Sequence, residues 1–349
     1  MNTQSNGASM QTQQTPPDAM LGQLVMGCFV SQAVTVAAKL GIADLLKDKP
    51  RSIAELAAET NTNEHALYRV LRALASVGVF AETDGRVFTL TPLAEPLLSD
   101  RVGSMRDVVI WIGEEFHWRV YGEMLYSVQT GKTAWGHVHG AEVFDYFKQN
   151  PAHGEIFNRA MTSFSTGIIP ALTEAYDFSE VKTLVDIAGS HGILLAGFLK
   201  ANPHLKGILF DVPSVIEGAD DLLRKEGAAD RVEKVSGDFF ESVPAGGDAY
   251  MMKHIIHDWD DERSIKILKN IHAAMNAGGR VLIIEMVVPD GNEPHFSKIM
   301  DLEMLVSPGG VERTAAEYRD LLAKAGFRLT RIIPTKSPYS IVEAAKSAH

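Results

Sequence analysis

The second half of the chain contains five short apolar or β-branched runs that alternate with helical patterns and loops. These runs are TLVDIA at 183–188, GILFD at 207–211, RVEKVSGD at 231–238, AYMMKHI at 249–255 and RVLIIEM at 280–286. Such alternation indicates βαβ units, whose strands lie parallel in one sheet. Two further runs, FRLTRIIPT and YSIVEAA, are joined by a connection too short for parallel neighbours, so they predict a closing antiparallel hairpin. The pattern therefore predicts an α/β fold with seven strands.

The first half of the chain is mainly helical, and residues 53–90 have the pattern of a winged helix. Ser52 and Glu55 form a capping-box pattern at the start of a short helix. A second helix, NEHALYRVLRALASVGV, is apolar on one face, and FAETDGRVFTLT then predicts a hairpin that turns at Asp84-Gly85. The apolar residues on that helix face are Ala66, Leu67, Val70, Leu71 and Leu74.

The length of 349 residues suits two domains, because single hydrophobic cores stop growing at roughly 250–300 residues. The first residues are rich in Gln, Asn, Ser and Thr and lack the charged and apolar regions of a signal peptide. We therefore expect a disordered tail at 1–17 and a winged-helix domain at 18–110. A helical linker and pocket region is expected at 111–171, and the α/β domain at 172–349.

Charge and composition exclude several classes of partner. The formal net charge of −11 argues against binding nucleic acid or an anionic membrane. Cys28 is the only cysteine, which fits a reducing compartment such as the cytoplasm. The apolar stretch Met20–Leu46 is interrupted by polar residues, so we predict a buried helix rather than a membrane span. Together with 66–79, it exceeds what a small domain buries alone, so we expect a homodimer.

Three of the predicted strands end in an acidic residue, at Asp186, Asp211 and Asp238. The first strand runs into small residues at 188–192, where a ligand can approach the backbone beside free helix N–H groups. Asp211 follows Asp186 by 25 residues (211 − 186), where a carboxylate can accept hydrogen bonds from ribose hydroxyls. Phe239 adds an aromatic face for an adenine. The alternative is a tight turn with Asp211 as a helix cap, but three acidic strand ends favour a nucleoside site.

Two further motifs follow these strands, MKHIIHDWDDE at 252–262 and GGVERT at 309–314. With FNRAMTSFS, VDIAGSHG, FDVPSVI and GDFFESVP, they stand in the order and approximate spacing found in small-molecule O-methyltransferases. Most of the chain resembles this family of class I S-adenosylmethionine-dependent enzymes, which includes caffeic acid, isoflavone and acetylserotonin methyltransferases and bacterial relatives. The resemblance implies a Rossmann-like seven-stranded methyltransferase sheet, an N-terminal α-helical winged-helix dimerisation domain, and S-adenosyl-L-methionine bound by the α/β domain.

The resemblance also implies roles for individual residues. His257 would be the general base that takes the hydroxyl proton of a small aromatic or apolar acceptor, with Glu285 and Glu312 flanking its imidazole. The implied cofactor residues are Ser165, Asp186, Ala188, Gly189, Gly192, Asp211, Val212, Asp238, Phe239 and Lys253. The implied acceptor residues are Met161, Met300, Asp301 and Met304, to which the aromatic stretch at 111–140 adds Trp118. Nothing in this chemistry requires a metal.

Methyl transfer to a phenol independently calls for a base. The hydroxyl of a phenol has a pKa of about 10, so only about one phenol in a thousand is ionised at pH 7. The sulfonium methyl donor, in contrast, needs no activation. A histidine with a pKa of about 6.5 is mismatched to that phenol by about 3.5 units, or roughly 5 kcal/mol. The cationic sulfonium would lower the pKa of the phenol, and Glu285 and Glu312 would raise that of His257.

Several residues keep a second interpretation. His257 is alternatively a helix-start histidine satisfied by the backbone, with Asp258 as the cap of the next helix. His254 is either a core histidine, which we favour, or a second polar contact. Family members have glycine where this chain has Ala188 and Ser190, which puts the affinity for the cofactor in question.

The aromatic stretch and the adjacent residues Glu312 and Arg313 also have two interpretations each. Trp111, His117, Trp118 and Trp135 either line an acceptor pocket or pack in a core. Glu312 and Arg313 alone could be a surface ion pair. His137 and His139 have no nearby cysteine or pair of carboxylates and are poor tetrahedral metal ligands.

The sequence leaves three rival functions open. A winged-helix transcription regulator would bind DNA through Arg69 and Arg72, but this acidic chain offers little phosphate neutralisation. The same fold could also have drifted to decarboxylation or hydroxylation, although the joint presence of His257, Glu285 and Glu312 argues against drift. The third rival is methyl transfer to a sulfur or nitrogen atom, because such acceptors need less help from a base.

Overall fold

The computed structural model describes residues 16–347, and the chain divides into two compact units at Ser99 and Asp100. Most of the predicted tail at 1–17 lies outside the described residues. The first helix begins at Pro17, where the missing N–H of proline removes no intrahelical hydrogen bond. The finer division of the chain at residues 110 and 171 stays a prediction.

The first unit has the predicted winged-helix arrangement. Its elements are α1 (Pro17–Lys39), α2 (Ile42–Leu46), β1 (Arg51–Ser52), α3 (Ile53–Thr60), α4 (Glu64–Ser76), β2 (Phe80–Thr83) and β3 (Val87–Leu90). Ser52 and Glu55 form the predicted capping box at the start of α3. The strands β2 and β3 pair as the predicted hairpin, and the two-residue β1, which the sequence did not reveal, completes a sheet of order β1-β3-β2.

The prediction that the first apolar helix is buried is wrong for the single chain. In α1 only Thr35, Ala37 and Ala38 are buried. All three lie in the last turns of this helix, where the rest of the unit packs against it. The side chains of Leu24 and Phe29 are 78% and 68% exposed. By length and apolar composition, α1 is the one helix of the described chain that could cross a membrane. An apolar face of this size needs a cover, which residues 16–347 do not supply.

The second unit begins with short helices around an aromatic cluster. These helices are α5 (Arg106–Gly113), α6 (Glu115–Gly122), α7 (Met124–Thr130), α8 (Ala134–His139), α9 (Val143–Gln149) and the long α10 (Pro151–Ala175). Trp111, Phe116, Trp135 and Phe147 are buried together in this cluster. Aromatic side chains bury large areas and favour edge-to-face contacts, such as that of Phe116 with Trp135 at 6.2 Å between centroids.

The rest of the second unit is the predicted seven-stranded sheet. Its strands are β4 (Thr183–Ile187), β5 (Lys206–Asp211), β6 (Val232–Ser236), β7 (Ala249–Lys253), β8 (Arg280–Glu285), β9 (Phe327–Pro334) and β10 (Ser340–Lys346). The connecting helices are α11 (Ile193–Ala201), α12 (Pro213–Ile216), α13 (Ala219–Lys225), α14 (Asp261–Ala274), α15 (Ser297–Val306) and α16 (Ala315–Lys324). The strand order is β6-β5-β4-β7-β8-β10-β9.

The pairing of these strands confirms the predicted Rossmann-like topology. The first five are parallel, and β10 pairs antiparallel with both β8 and β9. Successive β4 residues alternate between the faces, so Leu184 packs in one core cluster and Val185 in another. The chain order reverses at β4, between β5 and β7. The carboxyl ends of strands at such a switch point form the usual ligand crevice of this fold.

Candidate active site

A cavity of about 740 Å³ lies where the carboxyl ends of β4, β5 and β7 meet helices α10 and α15. This volume suits a nucleoside cofactor or a small organic molecule. Fourteen predicted site residues line it: Met161, Ser165, Asp186, Ala188, Gly189, Asp211, Val212, Asp238, Phe239, Lys253, His257, Met300, Met304 and, of those with two interpretations, Trp111. The sheet therefore brings most of the predicted residues together.

The turn after β4 approaches the cavity closely. Ala188 and Ser190 both have a φ of +54°, a left-handed conformation that glycine adopts more readily. A side chain at Gly189 would place its Cβ 2.5 Å from the Asp186 carboxyl carbon, so only glycine fits there. Gly192, with a φ of +82°, ends the turn and does not line the cavity. Gly192 therefore shapes the turn rather than contacting a ligand.

Asp211 is fixed at the end of β5 by two backbone donors. Its Oδ2 accepts a hydrogen bond from Ser190 N at 2.8 Å, and its Oδ1 accepts one from Val212 N at 2.7 Å. Burial raises the pKa of Asp211, and the two N–H donors counter that rise. A carboxylate has about four acceptor positions, so two remain for the hydroxyls of a ribose.

Asp186 and Lys253 form a buried pair of ionisable groups beside the turn. Burial, together with the nearby Asp211 charge, raises the pKa of Asp186 to about 8. Burial also lowers the pKa of Lys253 to about 8, against the attraction of Asp186. Asp186 Oδ2 is buried without a hydrogen-bond partner among residues 16–347. Such an acceptor fits the amino group of a methionine-like moiety.

The third acidic strand end lies beside an aromatic wall. Asp238 Oδ1 accepts a hydrogen bond from Phe240 N at 2.8 Å. Phe239 and Phe240 meet edge to face at 4.7 Å, and Trp259 lies edge-on to Phe240 at 4.9 Å. All four side chains line the cavity. Aromatic faces and one carboxylate suit an adenine, and the sequence had not singled out Trp259 as part of this wall.

His257 lies in a short 3-10 turn after β7, and the residue is only 4% exposed. Its Nδ1 is 2.7 Å from Glu312 Oε1. Since an ionised carboxylate only accepts, Nδ1 carries the proton, and Nε2 is left to accept a proton from a group in the cavity. The 3.6 Å between Nε2 and Asp258 Oδ1 is too long for a direct hydrogen bond.

Glu285 is placed differently from the prediction that it would flank the imidazole. Its Oε1 accepts hydrogen bonds from the backbone N–H groups of Ile255 and His257 at 3.2 and 3.1 Å, and its Oε2 accepts one from the Tyr318 hydroxyl. Glu285 is fully buried and does not line the cavity. It fixes the backbone that carries His257, and it acts on the imidazole through charge alone.

The charges around His257 set its basicity. Burial by itself would lower the pKa of His257, but Asp258, Glu312 and Glu285 together raise it to about 9.

Asp258 does not cap the next helix as predicted. That role belongs to Asp260, whose side chain accepts a hydrogen bond from Arg263 N at 2.9 Å. Asp258 lines the cavity instead, as one of the carboxylates facing the imidazole.

His254 combines the two interpretations that the sequence left open. Its ring stacks on that of His257 at 4.7 Å between centroids and lines the cavity. Its Nδ1 lies 3.2 Å from Lys253 Nζ, so Nδ1 accepts and the proton resides on Nε2. Burial and the neighbouring positive charges lower the pKa of His254 well below its ordinary value. A neutral ring thus lies against the general-base candidate.

Two predicted acceptor residues do not line the cavity. Trp118 is half-buried on α6 and lies edge-on to Tyr121, at 6.3 Å between centroids. Trp111, which does line the cavity, lies on the preceding helix α5. Asp301 Oδ1 accepts a hydrogen bond from Glu312 N at 2.8 Å. Asp301 therefore positions the carboxylate that holds His257.

The other residues with two interpretations are explained by packing. His139 Nε2 lies 2.8 Å from the carbonyl oxygen of Phe116, and the His137 ring stacks on Tyr126 at 4.0 Å. Trp135 is fully buried in the aromatic cluster. Arg313 is also buried and bonds the carbonyl oxygens of Ile256 and Trp259, so the surface-pair interpretation of Glu312 and Arg313 is wrong.

Comparisons with known proteins agree with this geometry. The family model of the O-methyltransferase domain matches residues 121–328, and that of the O-methyltransferase dimerisation domain matches residues 23–100. The chain is 46% identical over 329 residues to the phenazine O-methyltransferase PhzM of Lysobacter antibioticus. This match covers 94% of this chain and 96% of that relative. It is 35% identical over 325 residues to the 8-amino-8-demethylriboflavin N,N-dimethyltransferase of Streptomyces davaonensis, with 92% of each chain covered.

Solved structures show the same fold, and one of them contains the spent cofactor. LaPhzM superposes with a TM-score of 0.91 at 46% identity, over 95% of this chain and 100% of that chain. CalO1, a methyltransferase of calicheamicin biosynthesis in its S-adenosylhomocysteine-bound form, superposes with a TM-score of 0.83 at 35% identity, over 96% of this chain and 100% of that chain. This chain therefore belongs to the S-adenosylmethionine-dependent O-methyltransferases, with S-adenosyl-L-methionine as its cofactor.

Proposed function

We propose that this chain methylates a hydroxyl oxygen of a small aromatic acceptor, with His257 as the general base. The observation that carries the proposal is the arrangement of His257. His257 Nδ1–H donates a hydrogen bond to Glu312 Oε1, with 2.7 Å between nitrogen and oxygen, and the imidazole lines the cavity. A base held in one tautomer by a carboxylate is how proteins prepare an imidazole to take a proton from a hydroxyl.

The residues of the cavity divide into a cofactor half and an acceptor half. We assign Asp211 and Val212 to the ribose, Asp238 with Phe239 to the adenine, and Asp186 to the methionine amino group. Ser165, Ala188, Gly189 and Lys253 would border the methionine end. The acceptor half contains Met161, Met300, Met304 and Trp111. When bound, S-adenosylmethionine supplies an electrophilic methyl group on a sulfonium sulfur.

The charges around His257 reduce the mismatch between base and phenol. A pKa of about 9 for His257 lies about 1 unit below that of an ordinary phenol, and 1 unit corresponds to about 1.4 kcal/mol. As the proton moves to Nε2, the Glu312 and Asp258 carboxylates stabilise the imidazolium that forms. A nearby sulfonium charge would lower the pKa of both base and phenol.

Nitrogen is the alternative acceptor atom, since one relative at 35% identity is an N,N-dimethyltransferase. A neutral amine already has a free lone pair and loses its proton after methylation rather than before. Three carboxylates around one buried histidine are better explained by an acceptor that must first be deprotonated. The site therefore favours oxygen.

We also propose that the chain works as a homodimer in the cytoplasm. The dimerisation-domain match at 23–100 includes most of α1, whose exposed apolar side chains a second copy would cover. Light scattering should give the mass of two chains, and Leu24→Glu with Phe29→Glu should give the mass of one. A wild-type chain that stays monomeric at micromolar concentration would refute the dimer.

The cofactor half is tested by titration calorimetry with S-adenosylhomocysteine. We expect micromolar binding by the wild type and a loss of about 10- to 100-fold in Asp211→Asn, because hydrogen bonds to a charged group are worth about 1.5–3 kcal/mol. Asp230→Asn, at an exposed carboxylate, is the matched control. No binding by the wild type would mean that the turn with Ala188 and Ser190 excludes the cofactor.

Methyl transfer itself is tested with 1-naphthol and S-adenosylmethionine, followed by mass spectrometry of the product. We expect a methyl ether. Methylation of 1-naphthylamine but not of 1-naphthol would assign the site to nitrogen acceptors.

A further inference from the structure

The acceptor wall contains one buried carboxylate that neither the cofactor half nor the base uses. Met300, Glu303 and Met304 lie on one face of α15, and with Ser307, the residue that follows the helix, they line the cavity. Spacings of three and four residues place the three helical side chains together. Glu303 is 7% exposed, and buried glutamates occur almost only where they are paired or bind something. Glu303 thus interrupts an otherwise apolar stripe.

Glu303 is held by side chains from α6. Its Oε1 lies 2.9 Å from His117 Nε2, and its Oε2 accepts a hydrogen bond from the Tyr121 hydroxyl at 2.5 Å. The fully buried His117 ring also stacks on Trp111, at 4.4 Å between ring centroids. Its Nδ1 lies 3.2 Å from the Trp111 carbonyl oxygen, which can only accept, so Nδ1 carries a proton.

These contacts keep Glu303 ionised. Burial alone would raise its pKa, but the His117 imidazole and hydrogen bonds from His117, Tyr121 and Ser307 bring the pKa below the ordinary value. A carboxylate has about four acceptor positions. Three donors from the protein leave about one position for a molecule in the cavity.

An unpaired donor lies in the same wall. Trp111 is 6% exposed and lines the cavity, and its indole Nε1–H is buried with no hydrogen-bond partner in the described part of the chain. Buried polar groups normally have a partner. A spare acceptor on Glu303 and a free donor on Trp111 together match a hydroxyl group, which both donates and accepts.

We propose that Glu303 is a specificity-determining residue that binds a second hydroxyl group of the acceptor, with Trp111 donating to the oxygen of that hydroxyl. This inference rests on the proposed function, because it concerns the acceptor half of the same cavity. The substrate class is an aromatic compound with two hydroxyls, one methylated at His257 and one held at Glu303. An acceptor without the second hydroxyl leaves a carboxylate and an indole N–H unpaired, and sites of this kind discriminate strongly.

The test compares 1-naphthol with a panel of dihydroxynaphthalene isomers under saturating S-adenosylmethionine. We expect kcat/KM for at least one isomer to exceed that of 1-naphthol by about 10- to 100-fold in the wild type. The selectivity ratio is the kcat/KM of the best isomer divided by that of 1-naphthol. In Glu303→Gln this ratio should fall to within about threefold of one. The neutral amide has only one oxygen, so it cannot accept from both His117 and the second hydroxyl as the carboxylate does. Glu115→Gln, at an exposed glutamate on the same helix as His117, should keep the wild-type ratio.

A second variant covers the case in which Glu303→Gln fails to fold. Glu303→Asp keeps the negative charge beside His117 but withdraws the carboxylate from the cavity, so the ratio should fall there as well. If every naphthol is methylated at a similar rate and neither variant changes the ratio, the inference is wrong and the proposed function stands. If S-adenosylhomocysteine binds and no naphthol is methylated, the proposed acceptor class fails, and the inference fails with it.

Discussion

Replacing His257 with alanine should lower the rate of methyl transfer to 1-naphthol by about 10²- to 10⁴-fold, the usual contribution of a positioned general base. The imidazole is the basic group in the cavity whose tautomer is fixed by a carboxylate, with Glu312 at 2.7 Å. Without it the phenol must lose its proton to water before the methyl group is transferred. Single-turnover measurements with saturating S-adenosylmethionine would report this step without product release.

His257→Gln is the matched variant, since glutamine can still bond Glu312 but takes no proton at neutral pH. It should lose as much activity as His257→Ala. Calorimetry with S-adenosylhomocysteine should show affinities within a few-fold of the wild type, because His257 lies outside the cofactor half. Near-full activity in both variants would contradict the role of His257 and point to a sulfur or nitrogen acceptor.

Adding a methyl group at Gly310 should destabilise the fold by about 3 kcal/mol or more, at the upper end of overpacking effects. A Cβ there would lie 1.8 Å from the carbonyl oxygen of His257 and 2.6 Å from the carbonyl carbon of Asp258. These are backbone atoms that cannot rotate away. Val311 N also donates to the same His257 oxygen at 2.8 Å, which fixes the two segments together.

Thermal unfolding of Gly310→Ala should therefore shift down by about 6–12 °C, at about 2–4 °C per kcal/mol for a unit of this size. The surviving folded protein should be nearly inactive, because the clash displaces His257. Gly122→Ala is the matched control, since a Cβ at Gly122 meets nothing within 4 Å. An unchanged melting temperature in Gly310→Ala would show that the two segments are not packed as described.

The sheet and the cofactor half could be predicted from sequence because their signals are local. Runs of β-branched residues predict strands, and parallel strands bring their carboxyl ends to one edge. Asp186, Asp211 and Asp238 therefore meet at one cavity although they are far apart along the chain. The short connection before β10 likewise required an antiparallel pair.

The acceptor half could not be predicted in this way, because its contacts join distant parts of the chain. Glu303 meets His117 and Tyr121 across 186 and 182 residues, and no local pattern relates them. Helix phase decided that Met300 rather than Asp301 faces the cavity on α15. The tryptophans were not separable in this way, because Trp111 lies on α5 and Trp118 on the next helix, α6. The exposure of α1 was missed for a related reason, since apolar composition does not tell which surface covers a helix.

The pH dependence of kcat/KM for 1-naphthol, in the wild type and in His257→Ala, tests the central claim most directly. The base must be neutral to act, so activity should rise about tenfold per pH unit while His257 is still protonated. With a pKa of about 9 that a bound cation lowers, the wild-type profile should level off between about pH 7 and 9. The residual activity of His257→Ala should instead keep rising with the ionisation of the phenol, towards about pH 10. A wild-type profile that is flat from pH 6 to 9, or that parallels the variant throughout, would contradict general-base catalysis by His257.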